Sequence, residues 1–203
     1  MKSKRLSIRG LKSGESVEEI YDKIAKQKGI KNISDIRMPL VIPTVDLITA
    51  KEYVFTNYIP ESAVDIKQYI TDISVGKAIR ASSSFPAVFS PFQYEEHAFM
   101  DGGTLDNVPA YEVRKQGADK VIAVKFVSDE VNEDSNIMDI VMKIIDIMGN
   151  KISEESLERS DYILDVFTDK TGLLDVEKLD MCYRYGYSAV IQNLDKIKEI
   201  IYE

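Results

Sequence analysis

Residues 80–110 read RASSSFPAVFSPFQYEEHAFMDGGTLDNVPA. A helical segment, residues 73–82, carries Val75, Ala78 and Ile79 at helical spacing and has to end before Pro86, because proline disfavours helical backbone in the residue before it. FQYEEHAFMD then alternates as a hairpin turning at Glu95-Glu96, and the Gly102-Gly103 pair breaks the second strand. Asp101 therefore stands at a strand end, directly before two glycines. Glycine permits positive φ and leaves room for another group to approach. A carboxylate so placed either closes a turn onto backbone amides or is presented for chemistry.

Working outward, DNVPAYEVRKQGADKVIAVKF predicts a helix with Asn107 as N-cap, Pro109 in its first turn and Gly117 after it, followed by a buried strand over Lys120–Phe126. Upstream, MPLVIPTVDL (38–47) predicts a strand with Pro43 at its end or edge, and KEYVFTN (51–57) a second strand paired with it. GESVEEIYDKIAKQKG predicts a helix with Ser16 and Glu19 spaced as a capping box and Gly29 as its stop. Downstream, residues 136–160 carry a helical apolar stripe with a break expected near Gly149-Asn150. DYILDVF predicts a strand and residues 173–201 further helix. Strands alternating with helices predict an α/β domain with a mainly parallel sheet.

The chain has 203 residues and 44% hydrophobic residues, enough for a packed core. Its 26 basic and 34 acidic side chains leave a net charge of −8, which argues against binding nucleic acid by phosphate neutralisation. Lys2, Lys4, Arg5, Arg9 and Lys12 all precede the first acidic residue, Glu15. Residues 1–15 thus read as a flexible basic arm, solvated or touching lipid headgroups. The lone cysteine, Cys182, excludes an internal disulfide and fits a reducing compartment, so a cytoplasmic location is expected. No apolar run has the length of a membrane span.

One His and one Cys cannot build a conventional zinc centre, and neither a calcium loop nor a nucleotide-binding glycine loop is present. No cofactor or metal is expected. A Ser-His-Asp triad would need His97 beside Asp101, yet four residues along one strand separate them by about 13 Å; His97 reads as a surface hairpin residue. Nucleophile elbows of the form G-x-S-x-G are approached only by GESVE (14–18) and GYSAV (186–190), each lacking the second glycine. Ser82, Ser83 and Ser84 have no flanking glycine.

AIRASSSFPAVFSPF and FMDGGTLDNVPAYEVRKQGADKVIAV together closely resemble the patatin-like phospholipases, serine acyl hydrolases of lipids. The resemblance continues less specifically through NIMDIVMKIID, DYILDV and MPLVIPTVDLITAKEYVFTN. It implies a three-layer α/β fold and a Ser-Asp dyad without histidine, its serine in a G-x-S-x-G elbow and its oxyanion hole in a glycine-rich loop. Asp101 matches the dyad aspartate, with Gly102 and Gly103 as its turn. The elbow and glycine-rich loop of the family lie upstream of the matched region. Residues 1–203 are thus expected to form a single partial domain, incomplete on the N-terminal side, that provides the aspartate and is inactive alone. The substrate implied is a lipid or other acyl ester, and the protein is expected to be soluble or peripheral at a membrane; Phe85, Phe89 and Phe92 read either as the lining of an acyl channel beside Asp101 or as buried aromatic packing. An exposed sheet edge would be covered by an N-terminal half or by self-association. The alternative is a non-catalytic scaffold or interaction domain derived from the same fold.

Overall fold

The computed structural model describes residues 12–86, 88–128, 137–168 and 176–202. The chain divides into two compact units, Met1–Gly117 and Ala118–Glu203.

The first unit opens with helix α1 (Glu15–Gln27), begun by Gly14 in a left-handed conformation with no side-chain cap. Ser16 lies inside the helix rather than before it, so the expected Ser16–Glu19 capping box does not form. A capping box occurs instead at Asn32 and Asp35, around the short 3-10 turn Ile33–Asp35. Gly29 follows α1 with φ +75°, as a helix stop requires. Of the basic arm, residues 1–11 lie outside the described residues. Lys12 is held: its N–H donates to Val88 O at 3.0 Å and its carbonyl accepts from Ser90 N at 3.0 Å.

Strands β1 (Val41–Asp46) and β2 (Lys51–Thr56) form an antiparallel hairpin from Val41↔Thr56 to Asp46↔Lys51. The two-residue strand β3 (Tyr69–Ile70) runs parallel to β2. Helix α2 (Val75–Ser82) is capped by Ser74, whose hydroxyl accepts from Lys77 N at 3.3 Å. Strands β4 (Phe92–Tyr94) and β5 (His97–Asp101) make the predicted hairpin, with Glu95 at φ +51° in its turn. The sheet order is β3-β2-β1-β5-β4. Beneath it Phe55, Phe99, Tyr53, Ile33 and Ile73 pack with Ala78 and Ala81 of α2. Phe99 meets Phe55 and Tyr53 edge-on, with ring centroids 5.3 and 5.4 Å apart.

The fold class is α/β, but the sheet is mixed rather than mainly parallel. The β1–β2 and β4–β5 connections are too short to carry a crossover helix, and only antiparallel neighbours can be joined that way. Pro43 is in the central strand, not at an edge. The β1–β5 ladder begins at Thr44↔Asp101, so Pro43 falls just beyond it, where a residue without an N–H interrupts little. Helix α3 (Ala110–Lys115) closes the unit with Pro109 in the N-cap position and no side-chain cap, so Asn107 is not its cap. Gly117 follows with φ +91°.

In the second unit β6 (Ile122–Ser128) and β7 (Tyr162–Thr168) pair in parallel along their whole length, with helix α4 (Ile137–Glu158) between them in sequence. This is the βαβ arrangement that alternation predicts. Asp161 ties the start of β7 to β6: its carboxylate accepts from Val121 N at 2.6 Å. The helix runs through Gly149-Asn150 unbroken, and Ser153 donates to Gly149 O at 2.7 Å. The β6 strand is less buried than predicted, with Val124 49% and Phe126 66% exposed. Helices α5 (Leu179–Gln192) and α6 (Leu194–Tyr202) follow; the predicted helical start at residues 173–175 lies outside the described residues. Tyr162 OH donates to Asn193 Oδ1 at 2.8 Å, fixing the end of α5 against β7. Cys182 is a free thiol on α5.

Candidate active site

Asp101 is the last residue of β5, and it caps a 3-10 turn over Gly102–Thr104. Its Oδ1 accepts from Gly103 N at 2.8 Å, so the carboxylate is fixed by the turn it initiates. Among the described residues no donor is bonded to Oδ2. The side chain is half-buried. Burial pushes its carboxyl above the ordinary carboxylate range, against the opposing pull of the Gly103 N–H. A carboxylate with one oxygen tethered and its basicity raised by desolvation can take a proton from a hydroxyl brought to its other oxygen.

Neither glycine of the motif has positive φ, contrary to the expected use of glycine here. Their requirement is space. A Cβ on buried Gly102 would stand 2.3 Å from Pro43 O, inside the β1 backbone. On Gly103 it would stand 2.9 Å from Asn107 Oδ1 and 3.0 Å from Asp101 Oδ1. Asn107 is thus drawn to the carboxylate turn instead of capping α3.

Of the serines at 82–84, Ser84 supports this turn. Ser84 is fully buried, and its carbonyl accepts the Asp101 N–H at 3.2 Å. The Ser84 hydroxyl donates to Arg80 O at 2.7 Å and accepts from the Arg80 guanidinium. Ser83 donates to Ile79 O at 2.7 Å, ending α2. Arg80 is 4% exposed, donates to Ser90 O at 2.7 Å and to Ser13 O, and lies 5.5 Å from the Phe89 ring centroid. It joins the segments at Ser13, Ser84 and Ser90, and Ser84 passes that constraint to Asp101. Among the described residues, no serine hydroxyl bonds to the Asp101 carboxylate.

Phe85, Phe89 and Phe92 are all half-buried. Phe92 packs on the core of the first unit and stacks with Tyr94 at 6.3 Å. Phe89 lies against Arg80. Phe85 follows Ser84 directly, and its carbonyl accepts from Val88 N and Phe89 N at 3.2 and 3.0 Å.

Two arrangements were invisible in the sequence. His97 is tucked in rather than displayed on the surface. Its ring is 4.7 Å from Tyr53 and 5.2 Å from Phe99, and its Nδ1 is 3.1 Å from Oδ2 of the fully buried Asp46. Asp46 also accepts from Ala98 N, Ile48 N and Thr49 Oγ1 at 3.0, 3.2 and 2.8 Å. Burial acts to raise the Asp46 carboxyl, but these donors outweigh it and hold it below its ordinary value. The histidine's carboxylate partner is therefore Asp46, not Asp101, and among the described residues no hydroxyl bonds to its ring.

The second arrangement collects Glu52, Asp106 and Glu112. Glu112, buried, accepts from Lys115 Nζ at 2.6 Å and from Tyr69 OH at 3.0 Å. Glu52 Oε1 is buried with no hydrogen-bond partner among the described residues. Desolvation, then the charges of Asp106 and Glu112, raise the Glu52 carboxyl to about 7. Desolvation and Glu112 raise Asp106 to about 6. Asp106 N donates to Gly102 O at 2.9 Å, so this cluster borders the Asp101 turn. No spacing in the sequence links residues 52, 106 and 112.

The first unit is thus an α/β layer presenting a desolvated carboxylate at the end of a strand, with glycines required by steric contact behind it. The family model for patatin-like phospholipase matches residues 3–114. The chain belongs to the patatin-like phospholipase family. An uncharacterized protein of Acanthamoeba polyphaga mimivirus is 24% identical over 208 residues, covering 93% of this chain and 66% of that protein. Lysophospholipase NTE1 of Meyerozyma guilliermondii is 46% identical over 46 residues, or 23% of this chain and 3% of the relative. Lysophospholipase NTE1 of Lodderomyces elongisporus is 27% identical over 135 residues, or 53% of this chain and 9% of the relative. The chain therefore spans about two thirds of the mimiviral protein and less than a tenth of either lysophospholipase. Among the described residues no helix is long and apolar enough to cross a membrane.

Proposed function

We propose that the chain carries the proton-accepting half of a lipid acyl hydrolase, with Asp101 as the aspartate of a Ser-Asp dyad. The observation that carries this reading is the geometry of Asp101: Oδ1 is anchored to Gly103 N and Oδ2 is left for a partner. The serine belongs to a segment beyond the described residues. Its hydroxyl gives its proton to Oδ2 as its oxygen attacks the ester carbonyl, forming a tetrahedral adduct. Collapse breaks the ester C–O bond, and the leaving alcohol takes the proton from Asp101. Water then attacks the acyl-serine, giving one proton to Asp101, and the carboxylate returns it to the serine oxygen as the fatty acid departs. Phe85, beside the Ser84 carbonyl that holds Asp101 N, and Phe89 offer apolar surface to the acyl chain; Phe92 contributes mainly to the core.

Lipid acyl esters are the substrate class, as the family and the lysophospholipase relatives suggest. Unit two leaves Phe126 and Phe167 largely in water; the serine-bearing segment or a second copy is the expected cover, and light scattering of the full-length protein distinguishes them. The test of the reaction is ester hydrolysis by the full-length protein and its Asp101→Asn form. Loss of the base should lower kcat by about 10²–10⁴-fold without unfolding the protein. Equal rates would refute the dyad. No hydrolysis by either protein, with a range of lyso- and diacyl lipids, would favour a scaffold that keeps the fold without the reaction.

A further inference from the structure

Beside the Asp101 turn, the carboxyl groups of Glu52, Asp106 and Glu112 share the single cation Lys115. Glu52 of β2 stands in a cross-strand row with Val45 of β1 and Met100 of β5, so those strands set no charge next to it. Of the charged side chains of α3, Glu112 and Lys115 act on Glu52, and the loop before α3 adds Asp106. Tyr69 of β3 donates to Glu112 at 3.0 Å. Lys115 is committed: its Nζ donates to Glu112 at 2.6 Å and to Tyr69 OH at 3.4 Å. Glu112 is thus compensated. Among the described residues Glu52 Oε1 is buried without a partner, and no cation is bonded to Glu52 or Asp106. Asp106 is also tied to the turn. Its N–H donates to Gly102 O at 2.9 Å, next to that of Leu105 at 3.1 Å. Gly103 N, in the same turn, is the donor that holds Asp101 Oδ1 at 2.8 Å.

With Lys115 spent on Glu112, ionising both remaining carboxyls places like charges together in a partly desolvated site, where they repel strongly. Glu52 is held in a strand and Glu112 in a helix, whereas Asp106 sits on a loop and relieves the repulsion by moving into water. That movement draws the Asp106 N–H away from Gly102 O and loosens the turn that fixes Asp101. We infer that Glu52, Asp106 and Glu112 form a pH-sensitive latch on the Asp101 turn, closed while Glu52 or Asp106 is protonated and released when both are ionised. The titration lies near neutrality: desolvation and Glu112 raise Asp106 to about 6, and desolvation, Asp106 and Glu112 raise Glu52 to about 7. Both folded values lie above the ordinary ones, so the closed turn is favoured in acid and its stabilisation is lost as pH rises through about 7. Release of the turn is independent of what Asp101 does; its effect on hydrolysis rests on the reading of Asp101 as the dyad base.

The experiment reads the turn first, without substrate. The full-length protein, labelled with 15N-glycine, is titrated by NMR between pH 5.5 and 8.5 while the Gly103 amide is followed. The parent should show a step with its midpoint near 7, and Glu52→Gln should lose that step. Asp106→Asn keeps the backbone N–H and should lose it too, which serves as the test if Glu52→Gln lowers the melting temperature. No step near neutrality in the parent, or a step kept by both variants, overturns the inference. Hydrolysis of a lysophospholipid by the same proteins reads the consequence. The ratio of kcat for Glu52→Gln to that of the parent should be near one at pH 5.5 and about fivefold at pH 8.5, and this ratio cancels the titration of Asp101 itself. A ratio that does not change with pH overturns the latch as a control on the reaction. The NMR step without hydrolysis at any pH would support the latch and count against the dyad, so the two readings fail separately.

Discussion

Replacing Glu52 by glutamine tests the carboxylate cluster behind the Asp101 turn. Glu52 titrates at 4.5 when unperturbed and at about 7 in the folded chain, chiefly through desolvation and then through Asp106 and Glu112. Its folded value is raised, so the native chain holds a proton that the unfolded chain has already released. Stability from this group is fully present below pH 4.5 and is lost as pH rises through about 7. In a site closed to water such a shift would correspond to about 3 kcal/mol. Glu52 is only partly buried, and screening reduces the expected effect to about 1–1.5 kcal/mol. Glutamine is neutral throughout, and its amide can donate towards the neighbouring carboxylates. Urea unfolding of both proteins between pH 4.5 and 8 measures the difference. Glu52→Gln should match the parent at the acid end and exceed it by about 1 kcal/mol at pH 8. A parent curve of the same shape as the variant's, or a variant destabilised equally at both ends, would refute the reasoning.

Arg80→Met removes the donors to Ser13 O, Ser90 O and the buried Ser84 Oγ and leaves a gap where the buried Arg80 side chain packed, so unfolding free energy should fall by about 2–4 kcal/mol. A loss under about 0.5 kcal/mol, the scale of a surface change, would contradict its joining role. Gly102→Ala places a methyl 2.3 Å from Pro43 O and should cost about 2 kcal/mol or more, with hydrolysis impaired because Asp101 shifts with the turn; thermal melting and kcat read the two effects. Asp46→Asn forfeits charge-assisted bonds to Ala98, Ile48, Thr49 and His97 and should cost about 1–3 kcal/mol at pH 7. Because the Asp46 carboxyl is held low, its stabilising contribution is present above the unperturbed 3.8 and fades as pH falls through its folded value. The gap between parent and Asp46→Asn in denaturant unfolding should therefore narrow in acid.

Local patterns carried the elements a long way. The hairpin at Glu95-Glu96, the helix within residues 73–82, the strands around Val41–Asp46 and Lys51–Thr56, and the Gly117 stop all follow from alternation, helical spacing and glycine placement, which act over a few residues. The same logic misassigned Ser16 and Asn107 as caps. Cap geometry depends on which neighbour claims the side chain, and Asn107 lies at the Asp101 turn across Gly103. Alternation of strands and helices could not give strand direction, because direction depends on which strands become neighbours.

The sequence by itself determined that Asp101 ends a strand before two small residues, because residue identity and local stereochemistry are enough for that. Only the tertiary structure decided that the glycines are there for closeness to Pro43 and Asp101 rather than for positive φ. It also paired His97 with Asp46 and set Glu52 beside Asp106. Each of these is a contact between residues far apart in the chain, where burial and charge are set by the fold and leave no trace in sequence spacing.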